Sequence, residues 1–229
     1  MATIIQKTRW QLHLERHRLL FKYGIKNGLI REYDEELLSK LRHVYYGGIP
    51  VSILLLHEKL SNGHCYDRGT MVTLGFGDDY FEVVDASIDT IRLNPKFIDK
   101  YKNQDMDVDY GDHCFAIRKK SDGTEWVYDT SLGLVIEKNL YFKMEKPKIR
   151  VINSKEKTVD YLNNLYFEDC DIERDKYAVP LILPMIEADL IATQPFYQDK
   201  LKREIDIFKR EINYDKLCTE RELEKNRKR

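Results

Sequence analysis

The chain has 229 residues, 42% hydrophobic and 34% charged, with 38 Lys plus Arg against 39 Asp plus Glu and a formal net charge of −1. That length buries a real core as one domain, or as one domain with an extension, and the even charge gives no reason to expect nucleic acid or an anionic membrane as partner. No apolar run approaches the roughly 20 residues that span a bilayer, the four cysteines form no dense disulfide framework, and the N-terminal stretch MATIIQKTRWQLHLERH lacks a secretory h-region, so a cytoplasmic protein with reduced thiols is expected.

In chain order, residues 9–24 place Trp10, Leu14, Leu20 and Phe21 in a broken helical stripe that ends at Gly24. A second helix is expected over 34–46, with Asp34 as N-cap and Leu37, Leu38, Leu41 and Val44 as its apolar face, stopped by Gly47 and Gly48. The stretch IPVSILLLHEKL leads helically towards a turn at Ser61-Asn62-Gly63, and a further helix begins at or near Cys65 and runs to about Phe76. The period then changes. YFEVVDASI is β-branched and aromatic and reads as a strand, while DHCFAIRKK and TEWVYDTSL flank SDG in the pattern of a hairpin. Residues 155–170 read as helix, Pro180, Pro184 and Pro195 punctuate the last third, and the 196–212 stretch carries Leu201, Ile205, Phe208 and Ile212 on one helical stripe. That stripe is expected to be buried on the core or on a partner chain, which includes a second copy of this one. The charged tail from Asn213 is expected to fray.

Chemistry enters with Cys65. A cysteine acts as a nucleophile only as thiolate, and the N–H groups and dipole of a helix N-terminus favour that anion. A histidine must then take the proton, and a carboxylate or amide must orient the histidine. His113 and Asp129, one on each hairpin arm, supply both. They share a sheet face only in one register. A two-residue turn at Asp122-Gly123 pairs residues whose numbers add to 245 and turns Asp129 away. A three-residue loop Ser121-Asp122-Gly123, with Gly123 left-handed, makes the pairs add to 244 and puts both side chains on one face, within reach of one another.

The segments GHCYD (63–67) and DHCFAIRKKSDGTEWVYDTSLG (112–133) resemble the core of the transglutaminase-like superfamily of papain-like thiol enzymes. Cys65, His113 and Asp129 stand in that family's order, and Gly63, Trp126, Thr130 and Gly133 match its pattern, across about residues 60–135. Cys114 departs from it, standing where an aromatic residue is usual. The resemblance implies a papain-like α+β fold, with Cys65 on a helix start packed against a small antiparallel sheet. It also implies thiol chemistry on an amide or peptide bond by a Cys65-His113-Asp129 triad, with no metal or organic cofactor. The substrate would be a protein or peptide. It leaves open hydrolysis, amine transfer or cross-linking, and a non-catalytic interaction module on the same fold. The domain division expected is 1–150 for the triad and 151–229 for a helical extension.

Blander readings stand beside these. A lone cysteine is usually a small packed thiol, which is the expectation for Cys114, Cys170 and Cys218. The pairs His64-Cys65 and His113-Cys114 raise zinc as a rival, but neighbours on a strand face opposite ways and no Cys-x-x-Cys or His-x-x-x-His spacing accompanies them. The backbone N–H of Cys65 is half of an oxyanion hole, and Asn62, His57 and Tyr46 are candidates for its second donor.

Overall fold

In the computed structural model the described residues are 8–32, 35–46, 48–57, 65–76, 80–89, 110–158, 160, 179–192 and 195–227. The elements run α1 (Arg9–Lys26), β1 (Ile30–Glu32), α2 (Glu35–Leu41), β2 (Tyr45–Tyr46), β3 (Ile49–Pro50), α3 (Val51–Leu56), α4 (Cys65–Leu74), β4 (Tyr80–Asp89) and β5 (Tyr110–Lys119). They continue with β6 (Glu125–Asp129), β7 (Leu134–Glu137), α5 (Lys138–Glu145), β8 (Lys148–Ser154), α6 (Val179–Ala188), α7 (Pro195–Glu211) and α8 (Tyr214–Arg227). The class is α+β. Two units result, each from two separated stretches: Met1–Asp34 with Asp78–Lys155, and Glu35–Gly77 with Glu156–Arg229.

The first unit is a six-stranded antiparallel sheet in the order β1-β7-β6-β5-β4-β8, one face of which carries α1 and α5. Helix α1 starts in a reciprocal cap: Thr8 Oγ1 accepts from the amide of Gln11, and the Gln11 side chain accepts from the amide of Thr8. Such a cap contributes about 1 kcal/mol. Trp10, Leu14 and Phe21 then fall on the buried stripe and meet Phe115, Ile117 and Val127 of the sheet and Leu140, Tyr141 and Met144 of α5 in one core. Gly24 does not end the helix. A Cβ there would lie 2.6 Å from the side chains of Ile30 and Leu140, so the glycine admits close packing, and the chain turns instead at Gly28, with φ +67°.

The second unit is helical apart from the ribbon β2–β3. Its α2 ends at Leu41, several residues before the expected stop, because Tyr45 and Tyr46 pair with Pro50 and Ile49 as strands. Local aromatic β-preference prevails there over the helical spacing of Val44. The apolar stripe of α7 is closed within this unit: Leu201, Ile205 and Phe208 are buried, and Glu204 beside them grips Arg42 with both oxygens, 2.7 Å each. That bidentate pair holds the Arg42 guanidinium protonated above its usual range. Of the two places expected for the 196–212 stripe, the core or a partner chain, it takes the first and faces this unit's own core.

Two further expectations change. Pro184 lies inside α6 and Pro180 in its first turn, where a missing N–H costs nothing, so the prolines do not break the segment. The tail is helical as α8, not frayed. Of the helix expected over 155–170, residues 155–158 and 160 are helical and the remainder lies outside the described residues, as do Asp34, Gly47, Ser61-Asn62-Gly63 and Cys170. Among the described residues no helix is long and apolar enough to cross a membrane.

Candidate active site

The hairpin β5–β6 sets the geometry of the candidate site. Ala116 pairs with Tyr128, Ile117 with Val127, Arg118 with Trp126 and Lys119 with Glu125, so paired numbers add to 244. Lys120 and Thr124 close the loop: the Lys120 amide donates to the Thr124 carbonyl at 2.9 Å, and the Gly123 amide donates to the Lys120 carbonyl, also at 2.9 Å. Gly123 has φ +81°, the left-handed geometry that the three-residue loop requires. Asp122 ties the loop from its side chain, accepting from the Thr124 amide at 2.8 Å and the Thr124 hydroxyl at 2.6 Å. Those bonds hold the Asp122 carboxyl below its usual range.

This register brings His113 and Asp129 together. His113 Nε2 lies 3.1 Å from Asp129 Oδ2, and both side chains are buried. Asp129 is also fastened locally, because its Oδ1 accepts the amides of Ser131 at 2.9 Å and Leu132 at 3.1 Å. The chain there reverses into β7 through Gly133, at φ +66°, whose amide meets the Asp129 carbonyl at 3.0 Å. An aspartate in this position caps the turn that ends its own strand, so the carboxylate is pointed before any histidine meets it. Oδ2 accepts a second donor, the hydroxyl of Tyr141 on α5, at 2.7 Å. Four donors converge on two oxygens, which is the acceptor pattern of an ionised carboxylate. Two donors meeting at Oδ2 place the imidazole proton on Nε2, so Nδ1 is the lone-pair nitrogen of neutral His113.

Tyr141 is the site residue that the sequence reading missed. Its ring packs on Phe115 with centroids 4.9 Å apart, and no local pattern separates it from its neighbour Phe142 as the aromatic that meets Asp129.

Cys65 belongs to the other unit, as the first residue of α4 and a half-buried thiol. The first four amides of a helix have no partner within it, so the Cys65 sulfur stands where the dipole favours an anion. Asp67, in the first turn, is buried, and so is Arg68, whose guanidinium donates to the Leu55 carbonyl and lies 5.5 Å over the Tyr197 ring. His57, the C-cap of α3, has its Nε2 3.6 Å from Asp189, an ion-pair distance too long for a hydrogen bond. Of the other proposed oxyanion donors, Asn62 and the side chain of Tyr46 lie outside the described residues.

Of the zinc rival, only the His113-Cys114 pair falls wholly on described residues. Cys114 pairs with Asp85 and His113 with Ala86, so the two side chains leave the strand on opposite faces. His64 lies outside the described residues, and among those described no group of three or more His, Cys, Asp or Glu is arranged to hold a metal ion.

Comparison of the chain with protein-family models, with curated proteins and with solved structures returned no match.

Proposed function

We propose that the chain is a thiol-dependent hydrolase of peptide or amide bonds, on a papain-like core of transglutaminase-like type. Cys65 is its nucleophile, His113 its acid–base and Asp129 the group that orients His113. The observation that carries this reading is the buried His113–Asp129 pair, 3.1 Å apart, whose carboxylate is fully engaged as an acceptor and whose histidine has Nδ1 as its basic nitrogen.

The steps balance as follows. Nδ1 of His113 takes the thiol proton of Cys65, and the sulfur attacks the carbonyl carbon. The carbonyl π pair moves to oxygen, where the Cys65 amide supports the negative charge. As that charge returns, the C–N bond breaks and the proton on Nδ1 goes to the departing amine, leaving a thioester. His113 then deprotonates a water that attacks the thioester, the C–S bond breaks, and the leaving sulfur takes the proton back from Nδ1, which restores the thiol and the neutral imidazole. Asp129 holds the Nε2–H tautomer and stabilises the imidazolium throughout. Replacing that water by an amine turns the same cycle into transfer or cross-linking. No metal or organic cofactor enters these steps.

The test needs no known substrate. Alkylation by iodoacetamide near pH 6, read peptide by peptide in a mass spectrometer, should label Cys65 far faster than Cys218, and His113→Ala should abolish the difference. His57→Ala should preserve it. Equal labelling of Cys65 and Cys218 in the wild-type chain would remove the enzyme and favour an interaction module on the same fold. Loss of the difference in His57→Ala alone would move the base to His57.

A further inference from the structure

We propose that Tyr141 is a positioning residue of the His113–Asp129 pair, setting how much of the aspartate's charge reaches the imidazole. The consequence for turnover rests on the thiol reading above; the effect on His113 itself does not.

The two oxygens of Asp129 have different tasks. Oδ1 takes the amides of Ser131 and Leu132, which already fix the plane of the carboxylate. The tyrosine is therefore not needed to point the group. Oδ2 is shared between His113 Nε2 at 3.1 Å and the Tyr141 hydroxyl at 2.7 Å, the shorter contact being the tyrosine's. A hydroxyl bound to an anionic oxygen withdraws charge from it, and in a site without solvent that loss is felt fully by the second donor. The tyrosine ring is 0% exposed and wedged against Phe115, so its hydroxyl is held on Oδ2. Tyr141 thus makes the imidazolium less stable than an unshared aspartate would. An imidazolium of restrained stability is the better acid for a departing amine, the step in which too strong a partner would slow the cycle.

The experiment replaces the hydroxyl alone. In Tyr141→Phe the ring and its packing remain, and the His113 imidazole, followed by nitrogen NMR with His113→Ala for assignment, should titrate about half to one pH unit higher than in wild type, a roughly three- to ten-fold gain in proton affinity. The Nε2–H tautomer should persist, because Oδ1 still anchors the carboxylate. Fluorotyrosine installed at position 141, a stronger donor, should shift the titration the opposite way, which keeps the proposal testable if Tyr141→Phe folds poorly. An unchanged His113 titration in both variants would overturn it, as would loss of the Nε2–H tautomer in Tyr141→Phe. The failure of the thiol reading is separate: it shows as slow iodoacetamide labelling of wild-type Cys65, whatever His113 does.

Discussion

Among the described residues the sheet unit contains two buried histidine–carboxylate pairs at the same separation, and they differ in how the carboxylate is held. His113 and Asp129 meet at 3.1 Å across a hairpin; His17 and Glu145 meet at 3.1 Å between α1 and α5. In the helical pair both ring nitrogens are engaged. His17 Nδ1 donates to the His13 carbonyl at 3.1 Å, which requires the proton there, and Nε2 faces Glu145, so one further proton lies between imidazole and carboxyl. Glu145 has no other hydrogen bond among the described residues, its Oε2 being buried without a partner, and it sits at the C-terminal end of α5, where the helix dipole disfavours a negative charge. Asp129, by contrast, accepts four donors. Distance alone therefore does not define the role of such a pair. What separates them is how the carboxylate is held: Asp129 is fastened by two backbone amides and so orients the ring, whereas Glu145 has no such anchor among the described residues. His17–Glu145 is a tether between two helices.

The largest effect expected is on reactivity, and it should fall on one pair only. Cys65→Ala, His113→Ala and Asp129→Asn should each lower amide hydrolysis by the roughly 10⁴-fold typical of a triad member losing its role, whereas Glu145→Gln should leave it within a few-fold of wild type. Cys114→Ala and Cys218→Ala should also retain most activity. Rates for these variants in one assay decide the matter, and a Glu145→Gln loss as deep as that of Asp129→Asn would erase the distinction between the pairs.

Stability should answer the other way. His17→Leu strands Glu145 in the core with no hydrogen bond, and removing one member of a buried pair costs about 3–5 kcal/mol. Replacing both, as in His17→Leu with Glu145→Met, removes the stranded charge and should cost less than His17→Leu alone. Urea unfolding of the singles and the double, at constant slope, provides the cycle. Additive losses would mean the pair is not coupled.

How far the sequence revealed this depends on the range of the interaction involved. The register of the β5–β6 hairpin was legible because Ser121-Asp122-Gly123 is local chemistry and a sheet's alternation carries it eight residues outward to His113 and six to Asp129. The start of α4 at Cys65 and the buried stripe of α7 were legible for the same reason, since a helical period repeats over a single segment. Tyr141 and Glu145 were not, because each meets a partner brought near only by the packing of α5. His17 and Glu145 lie 128 residues apart, and nothing in either neighbourhood points to the other. The ribbon β2–β3 was misread because the helical spacing of Val44 was weighed above the β-preference of Tyr45 and Tyr46, and the helix α8 because its charge was weighed above the helix propensity of its Glu, Lys, Leu and Arg.

The loop offers an intermediate perturbation. Gly123→Ala forces a side chain into φ +81° with open space around it, so the cost is backbone strain of about 1 kcal/mol without a clash. The melting temperature should fall by about 2–4 °C while Cys65 labelling stays fast, because the register is kept. Inserting one residue after Gly123 should do the reverse, sparing much of the fold but turning Asp129 from His113 and collapsing the labelling rate. A variant with the insertion that labels like wild type would mean that the loop does not set the pair.

The smallest effect concerns Asp122, whose carboxylate ties the same loop through the Thr124 hydroxyl and amide and whose pKa is lowered mainly by the Thr124 side-chain bond. A depressed carboxyl favours the folded state when ionised. That contribution is fully present above the unfolded value, which is near 3.9 for aspartate, and is lost as pH falls through the lower folded value. The group is exposed, so the effect is small and screened by salt. The melting temperature of wild type should exceed that of Asp122→Ala at pH 6, and the gap should narrow as pH falls below about 4. A gap that persists undiminished to pH 2.5 would show that the Asp122 charge contributes nothing to holding the hairpin that joins His113 to Asp129.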